Sequence, residues 1–299
     1  MEKKHQAKFG RPGLLMLGCG AVAQQLLPLL LPRFRVFAVL RDPAKCAAWR
    51  AAGAIPIVAD LDAPHTLRRL RGLAHTVLHL APPPAAGALD SRSRHVCAIL
   101  PAGARLVYLS TSGVYGDCGG ALIDETRPTA ARNARAVRRV DAEQVLRIQA
   151  RARGWRLTIL RVPGIYGHQR LPLARIEQGL PALLPQEDVY TNHIHEEDLA
   201  RACLHALDFG RPLRLYHAVD DSDMKMGEYF DQVAAAFGLA PPPRLPRSVL
   251  PQYLSPAMLS FMGESRRLQN RRLKQELRLR LRYPTVAHGL RAALQQAPN

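Results

Sequence analysis

The 299 residues carry 42 Lys and Arg against 24 Asp and Glu, a formal charge of +18, with 47% hydrophobic and 22% charged residues. That balance excludes a disordered chain, and no run approaches the roughly 18 uninterrupted apolar residues of a membrane helix. Only 6 of the 42 cations are Lys, leaving 36 Arg beside abundant Ala, a bias that fits GC-rich coding as well as a basic surface.

Such a surface favours anionic ligands such as nucleotides. No helix-turn-helix, zinc-finger or RNP-like pattern accompanies the charge, so a specific nucleic-acid site is not expected. Residues 1–12 read as a flexible basic tail, with no apolar core of a signal peptide. Cys19, Cys46, Cys97, Cys118 and Cys203 are odd in number and lack CxxC spacing. Neither a disulfide framework nor a metal site is expected, and a reducing cytoplasm fits.

In chain order, short apolar runs alternate with helical segments. Strands are expected at 14–17, 36–40, 55–59, 77–80, 106–110 and 157–161, with helices from 20, over 43–52 and over 129–154. Pro28 should kink the first helix. Continuous apolar runs separated by crossover helices predict parallel strands covered on both faces, a doubly wound Rossmann-type α/β sheet. Further on, 194–207 is helical after its first residues, 213–219 is a strand and 226–238 a helix. The interleaved Arg, Lys and Leu of 266–282 predict an amphipathic basic helix or helix–strand, its cations either a solvated face or open to an anionic ligand. The expected division is a dinucleotide-binding unit at 13–168 and 190–220, with a smaller substrate-binding region at 169–189 and 221–299.

Two local signals carry chemistry. Gly18-Cys19-Gly20-Ala21-Val22-Ala23 follows a strand and opens a helix. Glycines permit the tight turn and the close approach of a pyrophosphate, and the helix N-terminus supplies free N–H groups. At the end of the second strand stands Arg41, followed by Asp42. A guanidinium there suits a 2′-phosphate and favours NADP, whereas Asp42 would serve a 2′-hydroxyl and keeps NAD open.

Several later segments resemble the extended short-chain dehydrogenases/reductases, the NAD(P)-dependent epimerase/dehydratase branch. They are Asp60-Leu61, His79-Leu80-Ala81-Pro82, Ser110-Thr111-Ser112-Gly113-Val114-Tyr115-Gly116, Arg161-Val162-Pro163-Gly164-Ile165-Tyr166-Gly167 and His195-Glu196-Glu197-Asp198-Leu199-Ala200. More narrowly, the Gly-Cys-Gly turn, the Ala81–Pro84 stretch and the tail around Arg266 to Asn270 are similar to the atypical YeeZ-like proteins. The resemblance implies cofactor contacts from Gly18, Cys19, Gly20, Ala21, Val22, Arg41, Asp60, Leu61, Ala81, Pro82, Arg139 and Pro163.

It also implies acid/base catalysis by a Tyr whose pKa is lowered by a Lys four residues later. Here the register set by Ala142-Glu143-Gln144 puts Arg135 at the Tyr position and Arg139 at the Lys position. No Lys lies between Lys45 and Lys225, and Tyr166 is the only Tyr between Tyr115 and Tyr190. Arginine stays protonated near neutral pH and cannot act as the base. Thr111 takes the substrate-orienting position. Tyr115 and Tyr166, at the carboxyl ends of strands, are the alternative acids; His193 and His195 read as structural hydrogen-bonders. Two readings follow: an NADP-dependent oxidoreductase or epimerase/dehydratase-like enzyme acting on a small anionic, nucleotide-linked or other, substrate, or a catalytically silent NADP sensor. A monomer or homodimer is expected.

Overall fold

The computed structural model describes residues 10–296. Seven strands form one parallel sheet: β1 (Gly13–Leu17), β2 (Arg35–Leu40), β3 (Ile55–Val58), β4 (Thr76–His79), β5 (Arg105–Thr111), β6 (Arg156–Val162) and β7 (Arg214–His217). Their order is β7-β6-β5-β4-β1-β2-β3, so the chain reverses direction of growth between β1 and β4. Leu17 pairs with His79 and Thr111 with Val162, which brings the carboxyl ends of β1, β4, β5 and β6 to one edge. In open α/β sheets that reversal is where ligands bind.

Strand alternation builds two cores. Leu14 and Met16 face α1 (Ala21–Leu30), while Leu15 and Leu17 face the other layer. Helix α2 (Cys46–Ala51) packs on the α1 side through Trp49, whereas that second layer holds α3 (Ser91–Ile99). It also holds α4 (Ala134–Arg153), whose Ala142, Leu146 and Ala150 are buried. On the α1 side lies α5 (Glu196–Phe209), with Leu199, Cys203 and Leu207 buried. A third core joins Tyr166, Ile176 and Leu183 to α6 (Met226–Ala236) and α7 (Val286–Gln296) through Tyr229, Val233 and Leu290. No helix among the described residues is long and apolar enough to cross a membrane.

Several elements differ from expectation for physical reasons. Helix α4 starts at Ala134 rather than near 129, because the Asn133 side chain accepts from Ala136 N at 2.8 Å and caps it there. The 43–52 segment opens as a 3₁₀ turn, Pro43–Lys45, under an Asp42 cap before α2 begins. Strand β3 is an edge strand, with Ile55 40% and Val58 39% exposed, so two-sided burial fails there. Helix α1 continues past Pro28, whose exposed side leaves the unpaired Gln24 carbonyl next to solvent.

The basic segment 266–282 is not one amphipathic helix. It makes a short strand, Arg267–Leu268, and a five-residue helix, Arg271–Gln275. Leu273, Leu277 and Leu279 are buried in the α1-side core, so this part of the chain belongs with the sheet. Its cations are largely ion-paired: Arg267 with Asp223, Arg272 with Glu125, Lys274 with Asp221 and Arg282 with Glu197. The basic tail lies, through residue 9, outside the described residues; beyond it Arg11 donates to Leu31 O at 2.6 Å and Pro12 O accepts from Arg35 N at 2.9 Å.

Candidate functional site

The Gly18–Gly20 turn leaves main chain exposed at the mouth of the sheet. Gly18 has φ +94°, and a Cβ on it would lie 2.4 Å from Ala81 N and 2.6 Å from Ala81 Cα. Only glycine satisfies both the torsion and the contact with the end of β4. Gly20 is the N-cap of α1, with no side-chain cap, and nothing lies within 4 Å of a Cβ built on it. The first N–H groups of α1 therefore face a cavity of about 480 Å³ lined by Gly18, Cys19, Gly20, Ala21, Val22, Pro82 and Arg139. An uncapped helix start beside a glycine turn is a ready anion cradle. The Cys19 thiol is no competitor for charge there, since burial pushes its pKa up to about 12.

A second cavity of about 290 Å³ continues from Gly18, Cys19 and Pro82 to Arg41, Asp42, Lys45, Asp60, Leu61, Ala81 and Arg92. The local acids here are already engaged. Asp42 Oδ1 accepts from Ala44 N at 2.9 Å, and Asp60 Oδ1 from Asp62 N at 3.0 Å. Asp62 holds Arg92 in a bidentate pair at 2.7 and 2.5 Å, and that guanidinium keeps the Asp62 carboxyl below the usual range. Exposed Arg41 and Lys45 make no side-chain hydrogen bond or ion pair among the described residues.

In the other direction the cleft widens. A cavity of about 550 Å³ shares Arg139, Ile165 and Arg170 with the first, and is lined by Thr111, Gly113, Asn133, Arg135, Pro163, Tyr190, Glu264 and Arg266. Thr111 ends β5 and its Oγ1 accepts from Gly113 N at 3.3 Å. Arg139 donates through Nη1 to Leu109 O at 2.5 Å and to the Tyr108 hydroxyl at 3.0 Å. Arg135 is exposed and lies 4.6 Å over the Phe261 ring. Arg266 Nη1 donates to Gly116 O at 2.7 Å and to Glu264 at 2.8 Å. The structure thus brings the glycine turn, Arg41, Asp60, Leu61, Ala81, Pro82, Thr111, Arg135, Arg139 and Pro163 onto one continuous cleft.

Tyr115 lies away from this cleft, and Tyr166 lines a neighbouring recess that shares Ile165 and Arg170 with it. Each is 1% exposed. The 3₁₀ turn Ser112–Tyr115 tucks the Tyr115 ring beneath the sheet edge, where its hydroxyl meets His217 Nε2 at 2.5 Å. His217 Nδ1 must donate to Gln269 O, at 3.0 Å, so Nε2 is the acceptor and Tyr115 the donor. Burial raises the Tyr115 phenol to about 12 and lowers His217 to about 3. The Arg161 guanidinium stacks 4.5 Å over the Tyr115 ring and pairs with Glu143 at 3.0 and 2.7 Å; Glu143 also accepts from Ser110 at 2.6 Å. This buried network ties β5, α4, β6 and β7 together. Tyr166 donates to Thr285 O at 3.2 Å and packs edge-on to His195. His195 caps α5 by accepting from Glu197 N, whereas the His193 side chain forms no hydrogen bond among the described residues.

Arg170, Tyr190 and Glu264 also line the cleft and carry no sequence signal. They come from a loop, a two-residue strand and an irregular segment that only tertiary packing brings together. Arg266 stood in the sequence as one cation of a basic run and as part of the tail similar to the YeeZ-like proteins.

The family model for the NAD dependent epimerase/dehydratase family matches residues 15–218. A structure of a conserved protein of unknown function from Silicibacter pomeroyi is 30% identical, with a TM-score of 0.78 over 96% of this chain and 100% of that one. A UDP-glucose 4-epimerase from Thermotoga maritima, solved with UDP-glucose, is 16% identical with a TM-score of 0.77, covering 95% and 97%. A Pseudomonas aeruginosa protein, RMD, solved with NADPH, is 19% identical with a TM-score of 0.68, covering 94% and 98%. No curated protein matches the chain. With its glycine turn and the strand ends that frame the cleft inside the matched span, the chain belongs to the NAD-dependent epimerase/dehydratase family.

Proposed function

We propose that the protein is a cytoplasmic NADP-dependent oxidoreductase of the epimerase/dehydratase type, acting on a small anionic substrate without a Tyr-Lys pair. The observation that carries this reading is the continuity of the cleft. It runs from unpaired Arg41 and Lys45, past the uncapped start of α1, to Thr111 between Arg135, Arg139 and Arg170. The residues fit a pyridine dinucleotide: the Gly18 contact leaves no room for a side chain, and the open space at Gly20 leaves room for a diphosphate. Arg41 and Lys45 would hold a 2′-phosphate, since Asp42 is occupied as a helix cap. When bound, the dinucleotide would supply or accept a hydride.

The remaining work falls to the chain's own residues. The Thr111 hydroxyl would donate to a substrate oxygen. Arg135 and Arg139 would stabilise negative charge developing on that oxygen, the electrostatic part of the task, without accepting a proton. Solvent reaching the open cleft would then supply the proton. The Thermotoga structure, with UDP-glucose, supports a nucleotide-linked anion as one substrate class, and the Pseudomonas structure, with NADPH, supports the cofactor.

A second reading, a silent NADP sensor, is favoured by one observation: Arg139 is tied to the β5 backbone rather than left free beside a catalytic phenol. A turnover screen with NADPH against anionic carbonyl compounds and sugar nucleotides separates the two. The enzyme reading expects hydride transfer that falls by about 10²-fold or more in Thr111→Ala, the scale of losing an oxyanion donor. NADPH binding with no turnover by the native protein, or by an Arg135→Tyr/Arg139→Lys variant, would favour the sensor.

A further inference from the structure

A recess opens off the substrate end of the cleft, and its chemistry differs from that of the cleft. Its volume is about 300 Å³, and Arg170, Met226 and Phe261 form a wall common to both. Beyond Phe261 the lining is mostly apolar, with Met258, Phe230 and Met262, interrupted by Tyr166, Arg175, Thr191 and His193. An engineered apolar cavity of about 150 Å³ holds benzene, so this recess has room for a fused pair of rings.

His193 is the anomaly. It is 5% exposed, and its Nδ1 has no partner. Its ring stacks on Tyr229 with centroids 4.2 Å apart and meets Tyr166 edge-on at 6.1 Å. Burial holds it neutral, with its pKa lowered to about 3. A neutral imidazole offers one N–H and one lone pair; Nδ1 is sealed in without a partner, and Nε2 keeps surface. Nε2 is therefore the atom that can meet a polar group of whatever fills the recess.

We propose that this recess receives the apolar, ring-bearing body of the substrate, with one oxygen of that body on His193 and its anionic head between Arg170 and Arg135. Phe261 supports the placement, because its ring lies under the Arg135 guanidinium on one side and lines the recess on the other. The proposal rests on the reading of the cleft as a dinucleotide and anion site, and names the substrate class for it.

Calorimetry on the full chain tests it, with 2-naphthoate, 6-hydroxy-2-naphthoate and UDP-glucose as probes and NADPH titrated separately. Both naphthoates should bind, the hydroxylated one at least threefold tighter. His193→Phe should erase that difference while retaining 2-naphthoate. Met258→Glu, at a half-buried position on a short surface helix, should weaken both by tenfold or more, with NADPH affinity unchanged and unfolding still cooperative in each variant. UDP-glucose binding more tightly than either naphthoate, or naphthoate binding indifferent to both substitutions, would overturn the recess assignment. Loss of NADPH binding in the native protein would instead overturn the reading of the cleft and leave the recess standing.

Discussion

Replacing Tyr115 with Phe separates a structural tyrosine from a catalytic one. The substitution keeps the ring, its packing and the overlying Arg161 guanidinium, and so opens no cavity. What it removes is the donor to His217 Nε2, whose other nitrogen is already committed to Gln269 O. His217 has no measurable exposure and cannot turn to water. The cost is that of stranding one buried acceptor, about 1–3 kcal/mol. For a chain of this size that lowers Tm by roughly 2–4 °C per kcal/mol. Urea unfolding should show the loss as a lower midpoint at unchanged slope, while NADPH affinity and any turnover stay within about twofold. A catalytic role would give the reverse pattern, turnover down by about 10²-fold or more with stability intact. That pattern would refute the placement of Tyr115 outside the reacting site.

Gly18→Ala should abolish NADPH binding measured by fluorescence, because the added methyl must displace main-chain atoms of Ala81 at 2.4–2.6 Å. Arg41→Ser should weaken NADPH by about 10- to 100-fold and leave NADH nearly unchanged, the value of one charge-assisted contact; equal losses for both cofactors would sink the 2′-phosphate assignment. Acid should destabilise the fold. Burial lowers His79, His193 and His217 to about 3 in the fold, so their contribution is complete above about pH 6.5 and is lost as the unfolded chain takes up protons below it. Asp220, raised to about 7 by burial, works in the opposite sense and offsets one of them. Each such group moves stability by at most about 1.4 kcal/mol per pH unit, and with the histidines prevailing stability should fall from pH 6 to 4; urea midpoints that stay level across that range would contradict it.

The glycine-turn end of the cleft was legible because main-chain requirements write themselves into residue type. A left-handed torsion and a close approach demand Gly18. The wider end was not, because Arg170, Tyr190 and Glu264 meet only after three separated segments pack. Sequence position put Tyr115 and Tyr166 at strand ends, which is where they are, but not the direction of their rings. That direction was set by a 3₁₀ turn and by partners on the 217 and 285 segments, about 100 residues further along the chain. Apolar periodicity likewise placed β3 without revealing that it has no outer neighbour.

The two kinds of residue on α4 explain why the chemistry of the cleft is separable from the scaffold that presents it. Glu143 points inward to a fully buried pair with Arg161, where removing one partner costs about 3–5 kcal/mol because the other charge is left in low dielectric. Arg135, two turns earlier, is exposed and makes only a stacking contact with Phe261. Arg139 lies between these extremes, bonded to a β5 carbonyl from the rim of the cleft. The helix is therefore held by positions that cannot change cheaply and displays positions that can. Substituting Tyr at 135 and Lys at 139 alters the proton-transfer capacity of the cleft while the Ser110–Glu143–Arg161 network keeps α4 in place. A change in turnover between the two forms then reports chemistry and not folding, provided their urea midpoints coincide.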